Sequence, residues 1–124
     1  METEVPKVVR RWCDLVQGDP IYCLRFSNDV LVDLSVLKFE YTTDHGWFTQ
    51  FEFYDEKIAN DPDFGEFYTS SFTVHNDNLE ICTAYDDHHL YFSNKDAVTE
   101  RVILYEKEYL TRIVGYFRDV LRQL

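Results

Sequence analysis

Residues 30–41 read VLVDLSVLKFEY, Val30 to Tyr41, and the phase of their apolar side chains decides how many strands the chain holds. Successive side chains of a strand point to opposite faces, so a strand with one covered face alternates apolar and polar residues. Val32, Leu34 and Val36 lie in one phase, and Leu37, Phe39 and Tyr41 lie in the other. A bulge near Val36–Leu37 keeps the stretch a single bent strand. Two shorter strands are the alternative.

Outward from this stretch, β-branched and aromatic segments alternate with Asn/Asp/Gly turn signals. The segments are residues 21–26, 30–41, 47–54, 67–75, 79–85 and 90–93. Their short connections favour antiparallel neighbours, so the expected sheet is a meander of about six strands. In residues 47–54, Trp47, Phe51 and Phe53 share a face against Gln50, Glu52 and Tyr54. Tyr68, Phe72 and Val74 oppose Thr69, Ser71 and Thr73, while Phe48, Tyr54 and Tyr91 fall on the more polar phase.

Helical periodicity bounds this region on both sides. In residues 4–17, Val5, Val8, Val9, Trp12, Leu15 and Val16 make a narrow apolar stripe, with Thr3 as cap and Gly18-Asp19-Pro20 as the stop. Residues 97–124 make a longer helix, with Ser93 and Asp96 resembling a capping box. Val98, Val102, Tyr105, Tyr109, Ile113, Tyr116 and Val120 form one stripe on it, and Ile103, Leu110, Val114, Phe117 and Leu121 form a second. The two stripes cover roughly half the circumference, against the arc of about 100° that a surface helix needs. At 1.5 Å per residue the helix is about 40 Å long, whereas a seven-residue strand spans about 24 Å. Part of it is expected to meet the first helix, and its end a second copy of the chain, giving a homodimer. Gly115 costs this helix roughly 1 kcal/mol against Ala.

The fold class is therefore α+β: one domain, residues 1–124, with an antiparallel meander flanked on one face by an N-terminal helix and a long C-terminal helix. The first twenty residues hold six charged side chains between Glu2 and Asp14 and no apolar core, which argues against a signal peptide. No apolar run reaches eighteen residues, so no membrane contact is expected. Cys13, Cys23 and Cys82 are widely spaced and odd in number, which disfavours a disulfide framework and zinc and suits cytoplasmic free thiols.

Two candidates for chemistry stand out. Asp86-Asp87-His88-His89 sets two carboxylates beside two imidazoles, but adjacent strand or turn residues diverge and cannot all meet one ion. In a meander, His45 and His75 belong to the opposite rim. The tip reads as turn chemistry with no metal. Glu106, near the middle of the apolar arc, reads as an ion-paired or edge carboxylate rather than a general base. Phosphate loops, nucleophile elbows and HExxH or paired CxxC motifs are missing, so neither catalysis nor a cofactor is expected.

Charge says more. The net charge is −11, which opposes direct nucleic-acid or anionic-lipid binding. Residues 20–94 hold fourteen acidic and three basic side chains, a net of −11, whereas residues 1–19 carry −1 and residues 95–124 carry +1. Asp29, Asp55, Glu56, Asp61, Asp63, Glu66, Asp86 and Asp87 all fall in connections on one rim of the meander, offset by Lys57. Like charges at 4 Å in water repel by about 1 kcal/mol per pair, a modest cost that a steering role would explain.

The expected function is a non-enzymatic binding protein of the immunity, inhibitor or anti-defence type. It masks a basic protein partner that handles nucleic acid, with carboxylates standing in for phosphates. Tyr54, Phe64 and Phe67 beside the rim supply desolvated contact. The alternative is a dimeric secretion chaperone. In size and charge the chain is similar to small acidic type III secretion chaperones, although no middle helix separates the third and fourth strands. A small enzyme using Glu106 or the Asp86–His89 tip is the third reading.

Overall fold

The computed structural model of the chain describes residues 11–55 and 69–124. A short 3-10 turn, Trp12–Asp14, precedes six strands: β1 Pro20–Ser27, β2 Val30–Asp44, β3 Phe48–Tyr54, β4 Thr69–His75, β5 Thr83–Tyr85 and β6 His89–Phe92. One long helix follows, α1, Lys95–Gln123. The six strands form one antiparallel sheet in the order β4-β3-β2-β1-β6-β5, so the fold is α+β.

Four features differ from the sequence expectation. The first is the sheet order. β1 to β4 form a meander, but the β5–β6 hairpin docks on the far side of β1. The chain therefore crosses between the sheet's edges through residues 76–82, where Leu79 accepts a hydrogen bond from the Trp12 N–H and Cys82 accepts one from the Ser93 N–H. Curvature makes so short a crossing feasible. In a flat sheet β4 and β6 would lie about 19 Å apart, four spacings of about 4.8 Å. Instead the Phe72 and Tyr91 rings stack with centroids 4.3 Å apart. The sheet curls until its two wings touch across the concave face.

The second concerns β2, which is one strand. Val36 pairs with Tyr22 and Leu37 with Ile21 without a shift. The irregularities lie elsewhere: between Arg25 and Phe26 on the β1 side, where Val32 is the extra residue of β2, and between Phe39 and Tyr41 on the β3 side, where Glu40 is extra. Bulges bend and twist a strand, which suits the curl. The apparent phase slip has a plain cause. Leu37 and Phe39 face the concave core, while Val32, Leu34 and Val36 stand exposed on the convex face.

The third is the N-terminal helix. Residues 1–10 lie outside the described residues, and residues 11–17 hold only the 3-10 turn. Tertiary packing explains the loss of helix here. Trp12 is 1% exposed, with its ring 5.4 Å from Phe51 and 5.1 Å from Phe72. It closes the concave side, where Ile21, Cys23, Leu37, Phe39, Phe51, Phe53, Phe72, Val74, Ala84 and Tyr91 form the main core. Tyr91 thus belongs to the core phase, not the polar one.

The fourth is α1. It packs on the opposite face, against Leu24 and Phe92 through Val98, and does not share a face with Trp12. Its cap is Asn94, whose side chain accepts the Asp96 N–H at 2.8 Å, and not the buried Ser93. Tyr105 then meets Phe26 at 5.9 Å, and its hydroxyl accepts the Leu31 N–H at 3.0 Å. Val98 is the one fully buried side chain of the helix, whereas Leu110, Val114, Phe117 and Leu121 remain exposed.

Candidate functional site: the acidic end of the sheet

Strand direction sorts the connections between the two ends of the sheet. The β1–β2 turn, the exit of β3 and the β5–β6 tip share one end, and the Phe26 N–H donates to the His88 carbonyl across it at 2.8 Å. His45 and His75 occupy the other end, where His45 stacks on Phe48 at 4.6 Å and His75 lies 5.2 Å from Trp47. Asp29, Tyr54, Asp55, Asp86 and Asp87 therefore lie at or beside one end, as the strand order requires. Glu56, Asp61, Asp63, Phe64, Glu66 and Phe67 lie outside the described residues, as does most of the connection between the third and fourth strands.

The described carboxylates do not all face the same way. Asn28 and Asp29 both have positive φ, at 50° and 64°, between paired Ser27 and Val30. This is the geometry of a tight two-residue hairpin, and it explains the Asn-Asp dipeptide. Asp29 lines a cleft of about 330 Å³ on the helix side with Phe26, Arg101, Tyr105 and Arg112. Tyr54 stands opposite Lys38 and does not line the concave cleft. Asp55 does: it faces a cleft of about 300 Å³ lined also by Cys23, Arg25, Asp33, Ser35, His89 and Tyr91.

Asp86 organises the tip of the β5–β6 hairpin. Its Oδ1 accepts the His88 N–H at 2.9 Å and the His89 N–H at 2.8 Å, and lies 3.0 Å from His89 Nδ1. Its Oδ2 accepts the Tyr91 hydroxyl at 3.4 Å. Burial pushes the Asp86 carboxyl up, but the hydrogen bonds from His88 and His89 outweigh it and hold the group below the usual carboxylate range. This is a carboxylate capping a turn. Asp87 is exposed beside it. Among the described residues no three His, Cys, Asp or Glu side chains come together to hold a metal ion. Glu106 is exposed on α1 and lines neither cleft.

The concave cleft is anionic. Burial, then the charges of Asp86, Asp33 and Asp55, push the Cys23 thiol up to about 12, with Arg25 opposing. Burial also pushes the Tyr91 phenol up, as do Cys23 and Asp86. Thiolate is the nucleophilic form of cysteine, so Cys23 is an inert thiol at neutral pH. Arg25 stands across the β1–β2 ladder from Asp33, whose carboxylate accepts the Ser35 hydroxyl at 3.2 Å. Two carboxylates, Asp33 and Asp55, and one guanidinium line the cleft, with Asp86 close enough to act on Cys23, and what the cleft can do is attract cations.

Sequence reasoning missed Asp33 and Arg25 here, and it placed His89 only in the hairpin tip. The signal was present for Asp33: strict alternation along β2 puts Asp33 and Ser35 in phase with Leu37 and Phe39, a polar start to an otherwise core-facing row. Comparison with protein-family models, with curated proteins and with solved structures finds no match for this chain.

Proposed function

We propose that this chain is a non-enzymatic binding protein that masks a basic surface on a protein partner, with carboxylates placed where that partner would otherwise meet phosphates. An inhibitor or immunity-type role against a nucleic-acid-handling enzyme is the form of action that fits. The single observation that carries the reading is the grouping of Asp33, Asp55 and Asp86 around Cys23, on the end of the sheet that also holds Asp29 and Asp87. An anionic surface of this kind steers a basic partner and raises its rate of association. In this reading Cys23 is a buried thiol and the oxygens of Asp86 serve the hairpin tip.

The test is affinity capture from the native host, at low and high salt, with a charge-neutral comparison. A triple variant, Asp33→Asn, Asp55→Asn and Asp87→Asn, leaves the Asp86 cap in place. A basic partner is expected at low salt, released at high salt and lost to the triple variant with the circular dichroism spectrum unchanged. A partner held equally by the triple variant would reduce the acidic end to a solubility feature.

The apolar row Val32, Leu34 and Val36, exposed beside α1, favours a second reading, a chaperone of extended segments. Its capture would tolerate salt and fail on Leu34→Glu instead.

A further inference from the structure

The exposed stripe of α1 is spaced as a helix-pairing seam. Ile103, Leu110, Val114, Phe117 and Leu121 follow one another at intervals of seven, four, three and four residues, and each is about half exposed or more. Alternating three- and four-residue steps are the pattern by which one helix sets knobs into the holes of another. The sheet does not use this stripe. Its contacts with α1 run through Val98, Val102 and Tyr105, which lie on the other stripe, around the helix from the seam. Lys107 falls inside the seam, where a single polar residue fixes register at a cost in stability.

Charge selects the occupant. Residues outside 95–124 carry −12, so two copies of the chain repel one another wherever their sheets approach. The helix is the exception, and its charge is polarised. Residues 95–108 hold Lys95, Arg101 and Lys107 against Asp96, Glu100, Glu106 and Glu108, a net of −1. Residues 109–124 hold Arg112, Arg118 and Arg122 against Asp119, a net of +2. A parallel pair would set the two positive halves side by side and bring both acidic sheets together. An antiparallel pair sets each positive half against the partner's negative half and separates the sheets, with the helix dipoles also opposed. A basic partner is repelled by residues 109–124, so the seam is not a second site for the partner of the acidic end.

We infer that residues 103–124 of α1 pair antiparallel with the same residues of a second copy, through Ile103, Leu110, Val114, Phe117 and Leu121. The interface is isologous and two-fold, and it is separate from the concave acidic cleft. Sedimentation equilibrium of the full chain over a range of concentrations tests it. The expected mass is twice 14.9 kDa, falling to the single-chain mass in Leu110→Glu and in Phe117→Glu, with Leu34→Glu still dimeric. Both helix positions are exposed in the single chain, so near-ultraviolet circular dichroism of the sheet should not change. Orientation is read by disulfide trapping: Leu110→Cys should cross-link to Val114→Cys, and Leu121→Cys should not cross-link to itself. A single-chain mass at every concentration, a dimer that survives both helix variants, or self-cross-linking at Leu121→Cys would overturn the inference. So would a single chain that instead adsorbs through this stripe to vesicles containing phosphatidylserine.

Discussion

The concave face of the sheet closes over Phe51, Phe53, Phe72 and Tyr91, whereas the convex face leaves Val32, Leu34 and Val36 uncovered beside α1. Both faces carry apolar residues, so composition does not separate them. Curvature does. A sheet curled until β4 meets β6 covers its concave side with its own rings and the Trp12 plug. Its convex side needs a cover from elsewhere. One helix, about 10–12 Å across with its side chains, cannot cover a six-stranded sheet, which spans about 24 Å even before its outer side chains are counted. Apolar residues on the two faces of one strand therefore do different things: one set holds the fold, the other remains available.

The neighbours Val36 and Leu37 give the largest test of this contrast. Leu37 is 3% exposed and Val36 is 61% exposed. Leu37→Ala should cost about 2–5 kcal/mol in urea unfolding, as buried Leu truncations do. Val36→Ala should stay within about 0.5 kcal/mol. Equal losses would mean that the convex face is as well covered as the concave one.

A smaller effect is expected at the rim of the concave face. Asp86→Asn removes the charge that accepts from His88 and His89, and a loss of about 1 kcal/mol, the size of a capping loss, is expected. The folded carboxyl titrates below its ordinary value, so its stabilisation is present above the unfolded pKa and fades as pH falls through the folded one. The melting temperature of the parent chain should therefore fall more steeply than that of Asp86→Asn as pH drops below about 4. Parallel acid limbs would remove Asp86 from that role.

The smallest effect sharpens the helix side of the comparison. A Cβ at Gly115 meets nothing within 4 Å. Gly115→Ala should stabilise α1 by up to about 1 kcal/mol in thermal unfolding. Gly115 lies away from both apolar stripes, so the mass in solution should not change.

Strand identities were legible because turn residues delimit them: Asn28-Asp29 takes a left-handed turn, and the tip at 86–88 closes on an Asp side chain. That Asp29, Asp55, Asp86 and Asp87 lie at one end followed from strand direction alone. What was not legible depended on curvature. The apolar spacing of Val5 to Val16 reads as a helix, but Trp12 is drawn between Phe51 and Phe72, a demand made by residues far along the chain. The connection after β4 is short enough to pass for a hairpin, and only the curl lets it reach the other edge. Asp33 is hard to see as a cleft residue from sequence because the apparent slip between Val36 and Leu37 hides the row it shares with Leu37 and Phe39.

The rings that join the wings of the sheet have a consequence for synthesis. Phe72 must wait for Tyr91, which enters late in the chain, before the concave side can shut. Contacts as distant in sequence as that of Trp12 with Phe72 slow folding. A growing chain that has emerged only as far as β4 holds Phe53 and Phe72 without the Tyr91 ring that packs on them. Synthesis order thus leaves the concave side open along its Tyr91 edge until β6, the last strand to be translated, pairs with β1.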